Sequence, residues 1–145
     1  MKRLFSTSYN STAQNAWLLV LRICVGAFML THGYPKFEKL MAGNTQFGDP
    51  FGLGEGVTLG LAVFAEFLCS VLLIIGLGTR IAALFLIATM LTAAFVVHSA
   101  DPFGNKEMAL LYLLIYITIL IVGAGKYSVD YLISKSKKDR NTLYQ

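Results

Sequence analysis

Charged residues are scarce in this sequence. Only 14% of the 145 residues are charged, whereas soluble domains carry about 25%. Residues 57–77 and 79–97 contain one charged side chain each, Glu66 and Arg80. The surface of a soluble globular protein needs more polar groups than this, so the composition excludes that class. The mean hydropathy of +0.64 indicates a membrane protein instead.

Cysteine is also rare. The chain has two cysteines, Cys24 and Cys69, and they do not form a Cys-x-x-Cys pair. This spacing argues against a disulfide scaffold and against a zinc site. Cysteine in an apolar segment commonly behaves as a small hydrophobic residue, and we expect this of both. No metal site is predicted.

Four apolar runs are present, at residues 16–32, 57–77, 79–98 and 108–125. Each has roughly the 17–25 residues that a helix needs to cross a membrane, and continuous apolar runs are unlike the alternating strands of a barrel. We predict an all-α fold, an integral membrane four-helix bundle. Residues 76–80 should join the second and third spans as an antiparallel hairpin. We expect residues 34–56 to form a loop whose 47–54 part lies at the interface or dips into the bundle.

The N-terminus resembles a signal peptide only at its first residues. The chain begins Met-Lys-Arg, but the polar run 6–15 and Arg22 interrupt the pattern that a signal peptide requires. We therefore expect the first span to remain in the mature protein.

The positions of lysine and arginine predict the orientation. One side of the predicted bundle holds eight basic residues and the other holds three, Lys36, Lys39 and Lys106. Because the basic side usually faces the cytoplasm, we predict that both termini are cytoplasmic (N-in, C-in). The basic tail, residues 131–145, should lie near anionic lipid, and nucleic acid is not an expected partner.

Arg22 and Glu66 are charged residues within predicted spans. Arg22 lies ten residues from His32, or about 15 Å along a helix, and Glu66 lies nine residues from residue 57, or about 14 Å. These depths predict an Arg22–Glu66 pair near mid-membrane, with Gly26 and Gly33 allowing close helix contact. The pair would either fix the register of the helices or form a polar cavity floor or proton relay.

A second group of polar residues is predicted at the outer face, comprising His32, Lys36, His98 and Glu107. These residues could be ordinary interfacial side chains, or they could share a pocket or proton-exchange site. Bis-histidine haem ligation is a third interpretation, because imidazole ligates iron.

Short motifs follow one another at residues 22–26, 32–36, 51–54, 65–67, 76–80 and 94–98, and then at Glu107 and residues 123–130. This ordered set, which covers about residues 18–132, resembles the DoxX family of small bacterial membrane proteins. It implies a four-helix transmembrane domain at residues 16–130 in the bacterial cytoplasmic (inner) membrane, between a cytoplasmic segment, residues 1–15, and the basic tail. It also implies a link to redox systems, because the family includes a membrane subunit similar to that of thiosulfate:quinone oxidoreductase.

Three functions are compatible with these features. The first is a non-catalytic subunit or scaffold for a membrane-associated redox system, with the bilayer, an oxidoreductase or a second copy as partner. The second is a small-molecule or proton-coupled transporter that uses Arg22, Glu66, His98 and Glu107. The third is a quinone-linked oxidoreductase. No cofactor is expected beyond a possible contact with quinone.

Overall fold

The structure, a computed structural model, describes the backbone of residues 10–142 and the side chains of residues 10–136. The described part of the chain is helical and contains no strand. Its helices are α1 (Ser11–Met41), α2 (Glu55–Ile75), α3 (Thr79–Val97), α4 (Phe103–Val122) and α5 (Val129–Thr142). The first four are long and apolar enough to cross a membrane. The prediction of an all-α membrane protein with four spanning helices is therefore confirmed.

Helix α1 is longer than the sequence predicted. It begins at Ser11, where the Asn10 side chain accepts a hydrogen bond from the Ala13 amide at 3.0 Å, and it continues through Pro35 to Met41. The prediction of a loop from residue 34 was therefore wrong, and the loop covers residues 42–54 instead. Proline removes one backbone donor, a loss that membrane-spanning helices tolerate. At about 46 Å, α1 is longer than a ~30 Å hydrocarbon core.

The loop after α1 is held together by hydrogen bonds to the side chain of Asp49. Asp49 accepts hydrogen bonds from the amides of Leu53 and Gly54 and from the Thr58 hydroxyl. Phe51 and Leu53 are exposed, whereas Phe47 is half-buried beside the Lys36 ammonium, so only the start of the 47–54 stretch contacts the bundle.

Both α2 and α3 contain one π-helical turn, at Phe64–Leu68 and at Ala93–Val97. Such turns are rare and widen the helix locally, often at functional sites. The turn between α2 and α3 contains Gly76 and Gly78 in the left-handed conformation, which confirms the predicted hairpin.

The buried core lies among α1, α2, α3 and α4 and contains Val25, Met29, Leu73, Leu86 and Ile119. The helix directions give the bundle two ends. The tail end carries the start of α1, the turn at residues 76–78 and the segment 123–128 before α5. The loop end carries residues 42–54 and 98–102.

Candidate functional site

Lys36 and Glu66 form an ion pair between α1 and α2. The Lys36 ammonium contacts both carboxylate oxygens of Glu66. The Glu66 side chain is 7% exposed and that of Lys36 is 27% exposed, and the Phe47 ring lies 5.7 Å from the ammonium. Charges at this depth are costly unless they are paired, so the pair accounts for the presence of Glu66 within a span.

Two features of the backbone place Glu66 against α1. Glu66 lies in the π-helical turn of α2. Opposite this turn, Gly33 is so close that a Cβ atom on it would lie 2.6 Å from the carbonyl carbon and oxygen of Glu66. Since Lys36 is one turn beyond Gly33 on α1, this contact brings its side chain to the carboxylate. The predicted role of Gly26 and Gly33 in close helix contact is confirmed, because Gly26 likewise packs against Ile74 and the Ser70 carbonyl.

The predicted Arg22–Glu66 pair is wrong. Arg22 instead donates to the carbonyl oxygens of Leu73 at 3.2 Å and Tyr127 at 2.5 Å. The prediction took His32 as the outer end of the first helix. Helix α1 instead ends at Met41, about 28 Å beyond Arg22. Arg22 therefore lies near the tail end, whereas Glu66 lies nearer the middle of α2.

Aromatic side chains follow both members of the ion pair in the sequence and pack between the same two helices. Phe37 stacks on Phe67 with ring centroids 4.6 Å apart. On α4, Tyr112 stacks on Tyr116 with ring centroids 5.9 Å apart. Tyr116 is fully buried, and its hydroxyl has no hydrogen-bond partner among the described residues. The α1–α2 contact beside the ion pair is therefore aromatic, and α4 carries a buried hydroxyl without a hydrogen-bond partner among the described residues.

Arg22 is the centre of a polar cluster at the tail end, formed by Arg22, Gly76, Tyr127, Ser128 and Asp130. Arg22 is completely buried, and it packs so closely on Gly76 that a Cβ atom there would lie 2.1 Å from the guanidinium. Only glycine fits at this position, which also has a φ of +74°. The Asp130 amide donates to the Gly76 carbonyl at 2.9 Å, so this cluster joins α1, the α2–α3 turn and α5.

The Asp130 carboxylate caps the start of α3. It accepts hydrogen bonds from the Gly78 amide at 2.7 Å and the Thr79 amide at 2.9 Å. Burial raises the pKa of Asp130, but these hydrogen bonds and the positive charge of Arg22 lower that pKa by more, so it lies below its ordinary value. Sequence reasoning did not select Asp130 or Tyr127 as site residues, although both lie in the motif at residues 123–130.

The four residues of the predicted outer cluster have separate neighbours. Lys36 pairs with Glu66, and His98 Nδ1 lies 2.7 Å from Asp101 Oδ2. The exposed His32 ring contacts the Tyr112 ring edge-on, with centroids 6.3 Å apart. Glu107 is exposed in the first turns of α4. A pocket shared by these residues stays a prediction.

The two thiols lie in different surroundings. Cys24 is exposed on α1 and Cys69 is buried in α2, and neither forms a disulfide. Among the described residues, no group of three or more His, Cys, Asp or Glu side chains has an arrangement that could hold a metal ion.

The fold and these polar clusters define an integral membrane protein with four spanning helices and a docked C-terminal helix. The chain belongs to the DoxX family, whose model matches residues 17–99. It is 37% identical over 125 residues to an uncharacterized protein of Haemophilus influenzae, covering 79% of this chain and 88% of that protein. No solved structure matches it.

Two further relatives have descriptive names. The chain is 33% identical over 124 residues to "Putative oxidoreductase CatD" of Bacillus subtilis, covering 85% of this chain and 91% of the relative. It is 32% identical over 126 residues to "Inner membrane protein YqjF" of Escherichia coli, covering 84% and 95%. These names concern the relatives, which the chain matches over nearly their whole length.

Proposed function

We propose that the chain is a non-catalytic subunit that holds a partner oxidoreductase at the bacterial cytoplasmic membrane, with both of its own termini in the cytoplasm. The similarity to a protein named as a putative oxidoreductase supports the link to redox. The similarity to a protein named as an inner membrane protein supports the location. The basic residues at the tail end support the orientation.

The observation that carries this proposal is the way Arg22 anchors the segment before α5. Burying a charge costs several kcal/mol, and Arg22 directs its hydrogen bonds to the backbone of α2 and of residue 127. This contact fixes the start of α5 relative to the bundle. A helix that only rests on lipid does not need a fixed start, whereas a binding surface gains affinity when it is ordered before the partner arrives.

The surface offered by α5 includes apolar side chains. Leu132 is 63% exposed and Ile133 is 45% exposed. They lie within the basic tail, three and two positions before its exposed Lys135. An apolar centre with a charged border is the usual arrangement of a protein interface.

Native co-purification in a mild detergent tests this function. We expect the wild type to retain an oxidoreductase, recognised by a flavin or haem spectrum or by NAD(P)H-dependent activity. Replacing Leu132 and Ile133 with serine should release it. Replacing Phe51 and Leu53 with serine removes comparable apolar area at the loop end and should leave it bound.

Two results would contradict the proposal. One is the absence of any redox protein with the wild type under conditions that keep the bundle folded. The other is a redox chromophore or quinone-reducing activity that belongs to the isolated chain, which would make it an enzyme.

A proton-coupled transporter is the second candidate, and the Lys36–Glu66 pair favours it. An ionisable pair inside a span, at an irregular helical turn, is a common element of proton pathways. Reconstitution into liposomes with a pH gradient tests this function. Proton flux that Glu66→Gln abolishes would support transport, and the absence of flux in well-folded wild type would exclude it.

A further inference from the structure

An open cleft of about 680 Å³ lies at the tail end, beside the Arg22 cluster. It is bounded by the first turn of α3, by the segment that leaves α4 and by the first turns of α5. Its polar lining includes Asn15, Arg80, Lys126, Tyr131 and Ser134. Neither of the functions proposed above uses these side chains.

Two cations with little internal pairing line the cleft. The Arg80 guanidinium lies over Gly123, and its one hydrogen bond within the described part of the chain is a long contact of 3.5 Å to the Ile121 carbonyl. The described residues form no salt bridge with Arg80 or with Lys126. The acid of the cleft, Asp130, directs its carboxylate to the Gly78 and Thr79 amides. The cleft therefore has donors and positive charge available for an anion.

The position of the cleft indicates the source of the anion. Helix α3 begins at Thr79 and α4 ends at Val122, so the cleft lies where two spanning helices leave the hydrocarbon core and lipid head groups begin. Ile81 and Val122 are exposed on its membrane side. An apolar wall below two cations matches a phospholipid, whose acyl chains would follow the wall while its phosphate meets the cations.

We propose that this cleft binds the phosphate of an anionic membrane phospholipid through Arg80 and Lys126. Arginine and lysine are the common phosphate-binding side chains, and Arg80 has N–H donors to offer two oxygens at once. The site does not depend on a partner oxidoreductase or on the orientation of the chain in the membrane.

Native mass spectrometry of the full chain in a neutral detergent tests the site. The probes are phosphatidylglycerol, an uncharged diacylglycerol with the same acyl chains, and inorganic phosphate. We expect one phosphatidylglycerol to remain bound and to raise Tm, with weaker retention of diacylglycerol. The double variant Arg80→Gln, Lys126→Gln should lower retention of phosphatidylglycerol by about tenfold or more.

The control keeps the same net charge as the double variant. Lys135 is exposed at the same end but does not line the cleft, and Lys39 lies near the loop end. The variant Lys39→Gln, Lys135→Gln should therefore retain the lipid. If it loses lipid equally, the effect is general charge attraction and the cleft is not a site. If the first double variant does not fold, Lys126→Gln alone replaces it and should lower retention by several-fold.

Inorganic phosphate separates the two sources of the anion. If millimolar phosphate raises Tm in the wild type and displaces phosphatidylglycerol, the ligand is a soluble phosphate and the lipid proposal is wrong. Phosphatidylglycerol that stays bound in phosphate supports the lipid. Equal retention of phosphatidylglycerol by the wild type and the Arg80, Lys126 variant would overturn the site altogether.

Discussion

Lys36 and Glu66 form an ion pair between the last turns of α1 and the π-helical turn of α2. The pair exists because α1 continues through Pro35 and so carries Lys36 alongside α2 rather than into a loop. Helix α1 continues past a proline, and α2 has an irregular turn. Together these two features place Lys36 where it neutralises the charge of Glu66 inside a membrane span.

Breaking this pair should destabilise the protein. Lys36→Met leaves the Glu66 carboxylate unpaired, and we expect a loss of roughly 3 kcal/mol, at the low end of the usual range for buried pairs because Lys36 is partly exposed. The double variant Lys36→Met, Glu66→Leu should lose much less than the sum of its single variants. Chemical unfolding in detergent micelles measures all four proteins of the cycle.

The matched control is the cycle of Arg22→Leu and Glu66→Leu. These residues do not contact each other, so their effects should add within about 0.5 kcal/mol. A strong coupling between Arg22 and Glu66, with none between Lys36 and Glu66, would contradict the described arrangement.

The guanidinium geometry of Arg22 should matter beyond its charge. Arg22→Lys keeps a positive charge, but the bonds to Leu73 and Tyr127 leave from two different guanidinium nitrogens, Nη1 and Nη2, and one lysine nitrogen cannot occupy both positions. We expect a loss of about 1.5–3 kcal/mol. Hydrogen exchange should rise at residues 127–132 and change little at the loop end. Exchange that rises equally at both ends would mean that Arg22 stabilises the whole bundle rather than the docking of α5.

The three glycines of α1 and α2 should respond to alanine in a defined order. Gly33→Ala should cost about 1–3 kcal/mol, since its Cβ would meet the backbone of Glu66 at 2.6 Å. Gly26→Ala should cost less, because its Cβ would clash mainly with the Ile74 side chain, which shifts more easily than backbone, and would lie 3.1 Å from the Ser70 carbonyl. Gly60 has nothing within 4 Å, so Gly60→Ala should leave Tm unchanged or slightly higher. The reverse order in thermal unfolding would show that α1 and α2 do not approach at Gly33.

Part of this arrangement was readable from the sequence. The apolar runs predicted the four spans, and the spacing of Gly26 and Gly33 predicted the close contact between α1 and α2. The partner of Glu66 could not be predicted, because Pro35 indicated the end of a helix before Lys36. In addition, a π-helical turn of five residues is too short to produce a periodic sequence pattern. The role of Asp130 depends on its hydrogen bond with Thr79, which lies 51 positions earlier in the chain. A local sequence pattern cannot reveal a contact of this kind.

Stability at acid pH should depend on Asp130. Its folded pKa lies below the ordinary value near 3.9, so the folded state binds this proton less readily than the unfolded state does. Its contribution to stability is therefore complete above about pH 5 and is lost as the pH falls through the folded pKa. The difference in Tm between wild type and Asp130→Asn should be largest above about pH 5 and should shrink toward pH 3.

A second carboxylate provides the control for this pH dependence. The hydrogen bond from the His98 side chain also holds the pKa of Asp101 below its ordinary value. The pH dependence of the wild type alone therefore does not show which carboxylate is responsible for the loss of stability. In the Asp101→Asn variant, the decrease in Tm at low pH that is due to Asp130 should remain. If the Tm difference for Asp130→Asn is constant across the range, the carboxylate has no depressed pKa.

The orientation of the bundle is the last prediction, and it rests on the excess of lysine and arginine at the tail end. Single cysteines at Asn10 and Asn141 should react with an impermeant maleimide only after the cytoplasmic face is opened, and those at Asn44 and Asn105 should react from outside. The background carries Cys24→Ser and Cys69→Ala. Asn44 is the better outer position, because its side chain accepts a hydrogen bond from the Gln46 amide within the same exposed loop, whereas the Asn105 amide donates to the Asp101 carboxylate. The side chain of Asn141 lies outside the described ones. If Asn44 reacts only from the cytoplasmic face, both termini are outside, and a partner held by α5 would have to be extracytoplasmic.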